Sequence, residues 1–132
     1  MSRANVAAAK RIYEARKRGD VDAVLAECDP DVTWHPHLAT LGGKPIRGHD
    51  GVRAYMESLQ EEWVGFHHVP EKFFDAGDTV VAFLNTYAQG RGSGTDVEVP
   101  VAHVLTFKAG KCMGYVSYHD RAEALRIAGI KE

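Results

Sequence analysis

Cysteine is scarce in this chain. Only Cys28 and Cys112 occur, and they form no CxxC motif. That argues against a disulfide-dense scaffold, and two buried free thiols are expected. Long apolar runs are also missing. No stretch reaches the about 18 apolar residues that a membrane-spanning helix needs. The opening MSRANVAAAKR carries charge within its apolar part, unlike a secretory leader. A cytoplasmic protein is the expectation. Nor does one sign of charge dominate, since 16 Lys and Arg stand against 18 Asp and Glu. A chain so balanced has no basic footprint for nucleic acid and no polybasic patch for a membrane. Signature motifs are lacking too: there is no GxSxG and no Walker sequence. GRGSG at 90–94 is followed by a strand pattern, whereas a phosphate loop leads into a helix, so it reads as a hairpin turn.

What is present fits one ordinary globular domain over residues 1–132, with 45% hydrophobic and 26% charged residues. Val6, Ala9, Ile12 and Tyr13 share one stripe at helical spacing and predict a helix over 4–18. Gly19 stops it, and Asp20 caps a short helix over 21–28. Asp29-Pro30-Asp31 ends that helix, and a short strand follows over 32–36. A glycine-rich loop over 37–48 reads as a rim, a lid or a plain connection. Asp50 then caps a helix to Trp63 with the stripe Val52, Tyr55, Met56, Leu59 and Trp63.

Beyond Phe66 the period changes from helical to alternating. Strands are predicted over 66–74, 79–89 and two stretches between Val97 and Asp120, joined by a turn at Ala109-Gly110. Pro70 inside the first of these predicts an edge strand or a bulge. Asp120 caps a last short helix closed by Gly129. Helices segregated from an antiparallel meander predict an α+β fold with helices on one face of the sheet.

The alternation also selects a candidate pocket. Val101, His103, Leu105 and Phe107 share one face of their strand, and Met113, Tyr115, Ser117 and His119 share one face of the next. If the two faces coincide, an apolar surface carries two imidazoles, a phenol and a hydroxyl, which is how small-molecule sites are usually built. Tyr13, Trp34, Tyr55, Leu59, Trp63, Phe83, Asn85 and Tyr87 are the remaining candidate wall residues. Histidine is the obvious acid or base at neutral pH. On an apolar face, burial favours the neutral form of His103; the alternative is a core histidine bonded to backbone, Asn85 or Tyr115. His35 and His37, taken with His67 and His68, suggest a metal only weakly, because no fixed ligand spacing supports it, and no metal or other cofactor is expected.

Several stretches resemble one family. They are YEARKRGDVDAVLAECDPDVTWHP (13–36), IRGHDGVRAYMESL (46–59), DAGDTVVAF (75–83), HVLTFKAGK (103–111) and YHDRAEALRIAGI (118–130). Their order is similar to the nuclear transport factor 2-like superfamily, and more closely to its SnoaL-like branch. The resemblance implies a cone-shaped, curved antiparallel sheet packed on three N-terminal helices, a short C-terminal helix, a deep apolar cavity and a homodimer. The outer sheet face with Val104, Thr106, Val116 and Tyr118 would be the dimer surface.

Compared with ketosteroid isomerases, His35 before Pro36 stands where the catalytic base would be, and His103 where a protonated acid would be. Ile12 stands at the position of the oxyanion tyrosine, with Tyr13 one residue on. Compared with SnoaL-type polyketide cyclases, His103 matches the histidine, while Ser117 replaces the aspartate. The implied function is a cofactor-free isomerase, cyclase or lyase moving a proton beside the carbonyl of a small hydrophobic molecule. His35 or His103 would be the base, and Tyr115, Tyr87 or Asn85 the donor to the enolate oxygen. Two other readings stand beside it: a non-catalytic small-molecule binder and a protein-interaction module.

Overall fold

The computed structural model describes residues 2–36 and 44–131, except for the side chain of Ser2. His37 and most of the glycine-rich loop lie outside the described residues. The elements run α1 (Ser2–Arg18), α2 (Val21–Ala26), β1 (Cys28–His35), β2 (Ile46–Arg47), α3 (Gly48–Glu62), β3 (Trp63–Ala76), β4 (Thr79–Gly90), β5 (Asp96–Lys108), β6 (Lys111–Tyr118) and α4 (Arg121–Ile127). The sheet is six-stranded, curved and unclosed, in the order β2-β1-β6-β5-β4-β3. All neighbours are antiparallel except β1 and β6, which run parallel.

Several boundaries differ from expectation. Cys28 opens β1 and does not close α2, because the strand bonds to β6 from Cys28 onward, with Cys112 as its register partner. Both thiols are free and buried, as expected. Trp63 opens β3 and is no longer helical. Asp50 lies in the first turn of α3, whose cap position is Arg47. Asp20 and Asp120 do cap α2 and α4, each accepting a backbone N–H. Pro70 meets both of its expectations, since β3 is an edge strand and its register shifts between Pro70 and Lys72.

The main core fills the concave side of the sheet. There α1 contributes Ala9, Ile12 and Tyr13, α3 contributes Val52, Tyr55, Met56 and Leu59, and β1 contributes Val32 and Trp34, all buried against Leu84, Val101 and Leu105. A second, smaller cluster lies on the outer face. Ala124 and Leu125 of α4 cover Val81, Ala102 and Val104. The C-terminal helix therefore sits behind the sheet and not at the cavity mouth. It also removes Val104 from the expected dimer surface. Among the described residues, no helix is long and apolar enough to cross a membrane.

Candidate active site

Register decides which side chains meet. In β4 and β5, Ala82 is paired with His103 and Leu84 with Val101, and cross-strand partners share a face. The concave face of β4 therefore carries Ala82, Leu84 and Thr86. Phe83, Asn85 and Tyr87 point to the opposite side, contrary to expectation. Phe83 packs with the α4 cluster, and Tyr87 stacks on His67 at 5.5 Å. Between β5 and β6, His103 is paired with Ser117 and Leu105 with Tyr115, so those four do share the concave face. A bulge follows, where Thr106 pairs with Gly114 but Phe107 with Cys112. Met113 is the extra residue, and Cys112 takes the inward place assigned to it, beside Phe107.

The two outer histidines are also misplaced by the sequence reading. Adjacent strand residues alternate, so buried Trp34 leaves His35 exposed. His119 lies beyond the end of β6 and is exposed. Neither joins His103. Instead a second register shift, between Val64 and His67, turns His68 inward and His67 outward. Gly65, at φ 66°, supplies the positive backbone angle in this bulge. His68 is 7% exposed and His103 is 2% exposed. Sequence reading considered His68 only as a metal ligand; its alternation with Phe66 and Pro70 was the available signal. Among the described residues no group of three or more His, Cys, Asp or Glu side chains is gathered to hold a metal.

The buried cluster is tightly connected. Tyr13 Oη lies 2.7 Å from His103 Nδ1. His68 Nδ1 lies 2.8 Å from Thr86 Oγ1. The two imidazoles meet edge to face with centroids 5.0 Å apart, and the Tyr115 ring stacks on His103 at 4.2 Å. Behind Tyr115, Trp34 packs at 5.0 Å and meets Tyr55 edge on. Arg16 lies over the Trp34 and Tyr115 rings and donates to Tyr115 Oη at 3.4 Å.

Burial sets the protonation states. Desolvation holds the His68 imidazolium form down, with the Arg16 charge adding to it, so its pKa falls well below the ordinary value. Desolvation raises the phenols of Tyr13 and Tyr115, outweighing the opposing Arg16 charge. The Tyr13 phenol therefore keeps its proton and can donate it to His103 Nδ1. Tyr13→Phe leaves that nitrogen without this partner inside the core. It should cost about 1–3 kcal/mol of stability, measured by urea unfolding; no loss would mean that His103 finds an equal partner elsewhere.

Two cavities meet at this cluster. One is a small cleft of about 10 Å³, lined by residues that include Tyr55, His68, His103, Tyr115 and Ser117. It has room for about one oxygen-sized group. The other is a solvent-reaching pocket of about 330 Å³ between the C-terminal ends of α1 and α3 and the start of β3; Leu59 and Trp63, both expected wall residues, line it. Phe66 and His68 line both cavities.

A family model for the SnoaL-like domain matches residues 9–115. The chain belongs to the SnoaL-like family. Solved structures agree with this placement in the nuclear transport factor 2-like superfamily. An NTF2-like protein of unknown function from Burkholderia pseudomallei is 27% identical, with 95% of this chain and 97% of that chain covered and a TM-score of 0.79. TerC, co-crystallised with polyporic acid, is 24% identical over 96% of this chain and 98% of its own, at a TM-score of 0.78. A protein with a ketosteroid isomerase-like fold from Catenulispora acidiphila, in complex with trimethylamine, is 18% identical over 94% and 93%, at 0.76. The last two likenesses show the fold alone. None of the curated proteins compared matches the chain.

In this SnoaL-like chain the Tyr13 hydroxyl reaches the buried strand histidine even though Tyr13 is one residue away from the position expected for an oxyanion tyrosine. The pair Tyr13–His103 is thus a tyrosine and a histidine bonded to each other in the buried core.

Proposed function

We propose that this SnoaL-like protein is a cofactor-free enzyme that moves a proton beside the carbonyl group of a small hydrophobic molecule. One observation carries the reading: the buried, neutral imidazole of His68 stands between the open pocket and the small cleft that His103 and Tyr115 also line. Kinship of the family with polyketide cyclases and ketosteroid isomerases supports the reaction class.

The roles follow from donors and acceptors. With its Nδ1–H donated to Thr86 Oγ1, His68 has a lone pair on Nε2 and serves as the base. With Tyr13 donating to its Nδ1, His103 carries its proton on Nε2 and is a donor. The substrate body occupies the open pocket, and its carbonyl oxygen enters the cleft. His68 takes the α-proton; the bonding pair moves to the oxygen, where His103 or Tyr115 stabilises the enolate. The proton returns to carbon from His68. Neutral donors suit this role because His103 and Tyr115 are buried, and in a low-dielectric interior their interaction with developing charge is larger than in water.

The test is deuterium exchange into 2-tetralone in D2O, followed by NMR. Exchange above the buffer rate, lost in His68→Asn, is expected. Binding of the ketone with exchange at the buffer rate would overturn catalysis and leave a non-catalytic small-molecule binder.

A further inference from the structure

The open pocket is one-sided in charge. Arg16, Lys17, Arg18 and Arg91 all line it, and no Asp or Glu does so among the described residues. Three of these cations end α1, where basic residues ordinarily answer the helix dipole. Arg91 does not fit that explanation. It comes from the turn between β4 and β5, and its Nε and Nη2 donate to Gln60 O at 3.1 and 2.7 Å, which fixes the guanidinium at the rim. Two of its five N–H donors are used there, and the other three remain for a ligand. The same pocket also has an apolar and aromatic lining, with Leu59, Trp63 and Phe66. Arg18 has an acidic neighbour, Asp20, but at 3.7 Å with both groups largely exposed the pair is weak.

We infer that the pocket selects an anionic aromatic molecule, a carboxylate or a comparably acidic group on a flat ring system of about two rings. The anion sits among Lys17, Arg18 and Arg91, and the ring lies on Trp63 and Phe66. This rests on the proposed function and names its substrate class: the same molecule directs its carbonyl inward, toward His68. The volume of about 330 Å³ suits a ligand of this size. Planar guanidinium groups also match a carboxylate in two-point geometry.

Calorimetry at low salt with 2-naphthoate and its neutral relative 2-acetonaphthone separates the outcomes. Expected is at least tenfold tighter binding of the naphthoate. Lys17→Gln combined with Arg18→Gln should weaken naphthoate about fivefold and change the ketone less than twofold. Both positions are exposed, and circular dichroism checks that the double variant keeps its fold. Raising the salt to 0.5 M should weaken naphthoate selectively, since screening acts on the charged ligand. Equal binding of the two probes, or tighter binding of the ketone, would overturn the anionic class and leave the proposed function standing. Binding of neither would overturn this pocket as the ligand site and the proposed function with it.

Discussion

Gly114→Ala should lower the melting temperature by about 10–20 °C, equivalent to about 3–5 kcal/mol. Two independent causes add. Gly114 has φ 152°, a backbone conformation that a residue with a side chain rarely adopts. A Cβ at this position would also lie 1.9 Å from the backbone oxygen of Thr33. Thr33 and Gly114 are register partners in the parallel β1–β6 pair, so a neighbouring side chain cannot relieve the clash by rotating away. The strands must separate, and β1 carries Val32 and Trp34 into the core. Gly77→Ala is the matched control. Its φ is 78°, but nothing lies within 4 Å of the added carbon, so backbone strain of about 1 kcal/mol is the whole cost. Thermal unfolding of both variants decides the point. Equal, small shifts would mean that β1 and β6 do not pair at this register.

His68→Asn should reduce deuterium exchange into the ketone by about 10²–10⁴-fold, the usual contribution of a positioned acid or base. Asparagine places an amide near the Nδ1 position and can keep the Thr86 partner, so the fold should survive. The same variant should change how stability responds to acid. In the folded protein the His68 pKa is pushed well below 6.5 by burial, while in the unfolded chain it returns to about 6.5. Between those values the unfolded chain binds a proton that the folded chain does not. The His68 contribution is therefore intact above about pH 6.5 and lost as the pH falls below it, by at most about 1.4 kcal/mol per pH unit. Urea unfolding at pH 7 and pH 5 measures it. Wild type should lose up to about 2 kcal/mol more than His68→Asn over that interval. An identical pH response in both proteins would show that His68 titrates normally and has no base-competent advantage. Exchange that persists in the variant would move the base to another residue.

Sequence patterning was enough for every element except the two-residue β2, and for much of the core. The stripes of α1 and α3 appear as buried faces because helical spacing depends only on local geometry. The concave placement of His103, Leu105, Tyr115 and Ser117 was also legible, because alternation holds along an uninterrupted ladder. The misplacements begin where the ladder is interrupted or its phase is set from outside. Met113 fell on the wrong side of a bulge, and a similar shift before His67 selected His68 for the interior. Phe83, Asn85 and Tyr87 have perfect alternation, but alternation defines two faces without saying which one is concave. Pairing of Ala82 with His103 decides that.

By itself, then, the amino-acid sequence determined the order and kind of every element except β2, which lies in the stretch expected as a loop, together with the α+β architecture and the buried place of His103, all of which rest on periodicity and local backbone preference. Only the tertiary structure decided that His68 and not His35 faces His103, that Tyr13 bonds to it from the first helix, and that Lys17, Arg18 and Arg91 line one mouth. Those juxtapositions join residues far apart in the chain, and strand register, bulges and helix docking set them together.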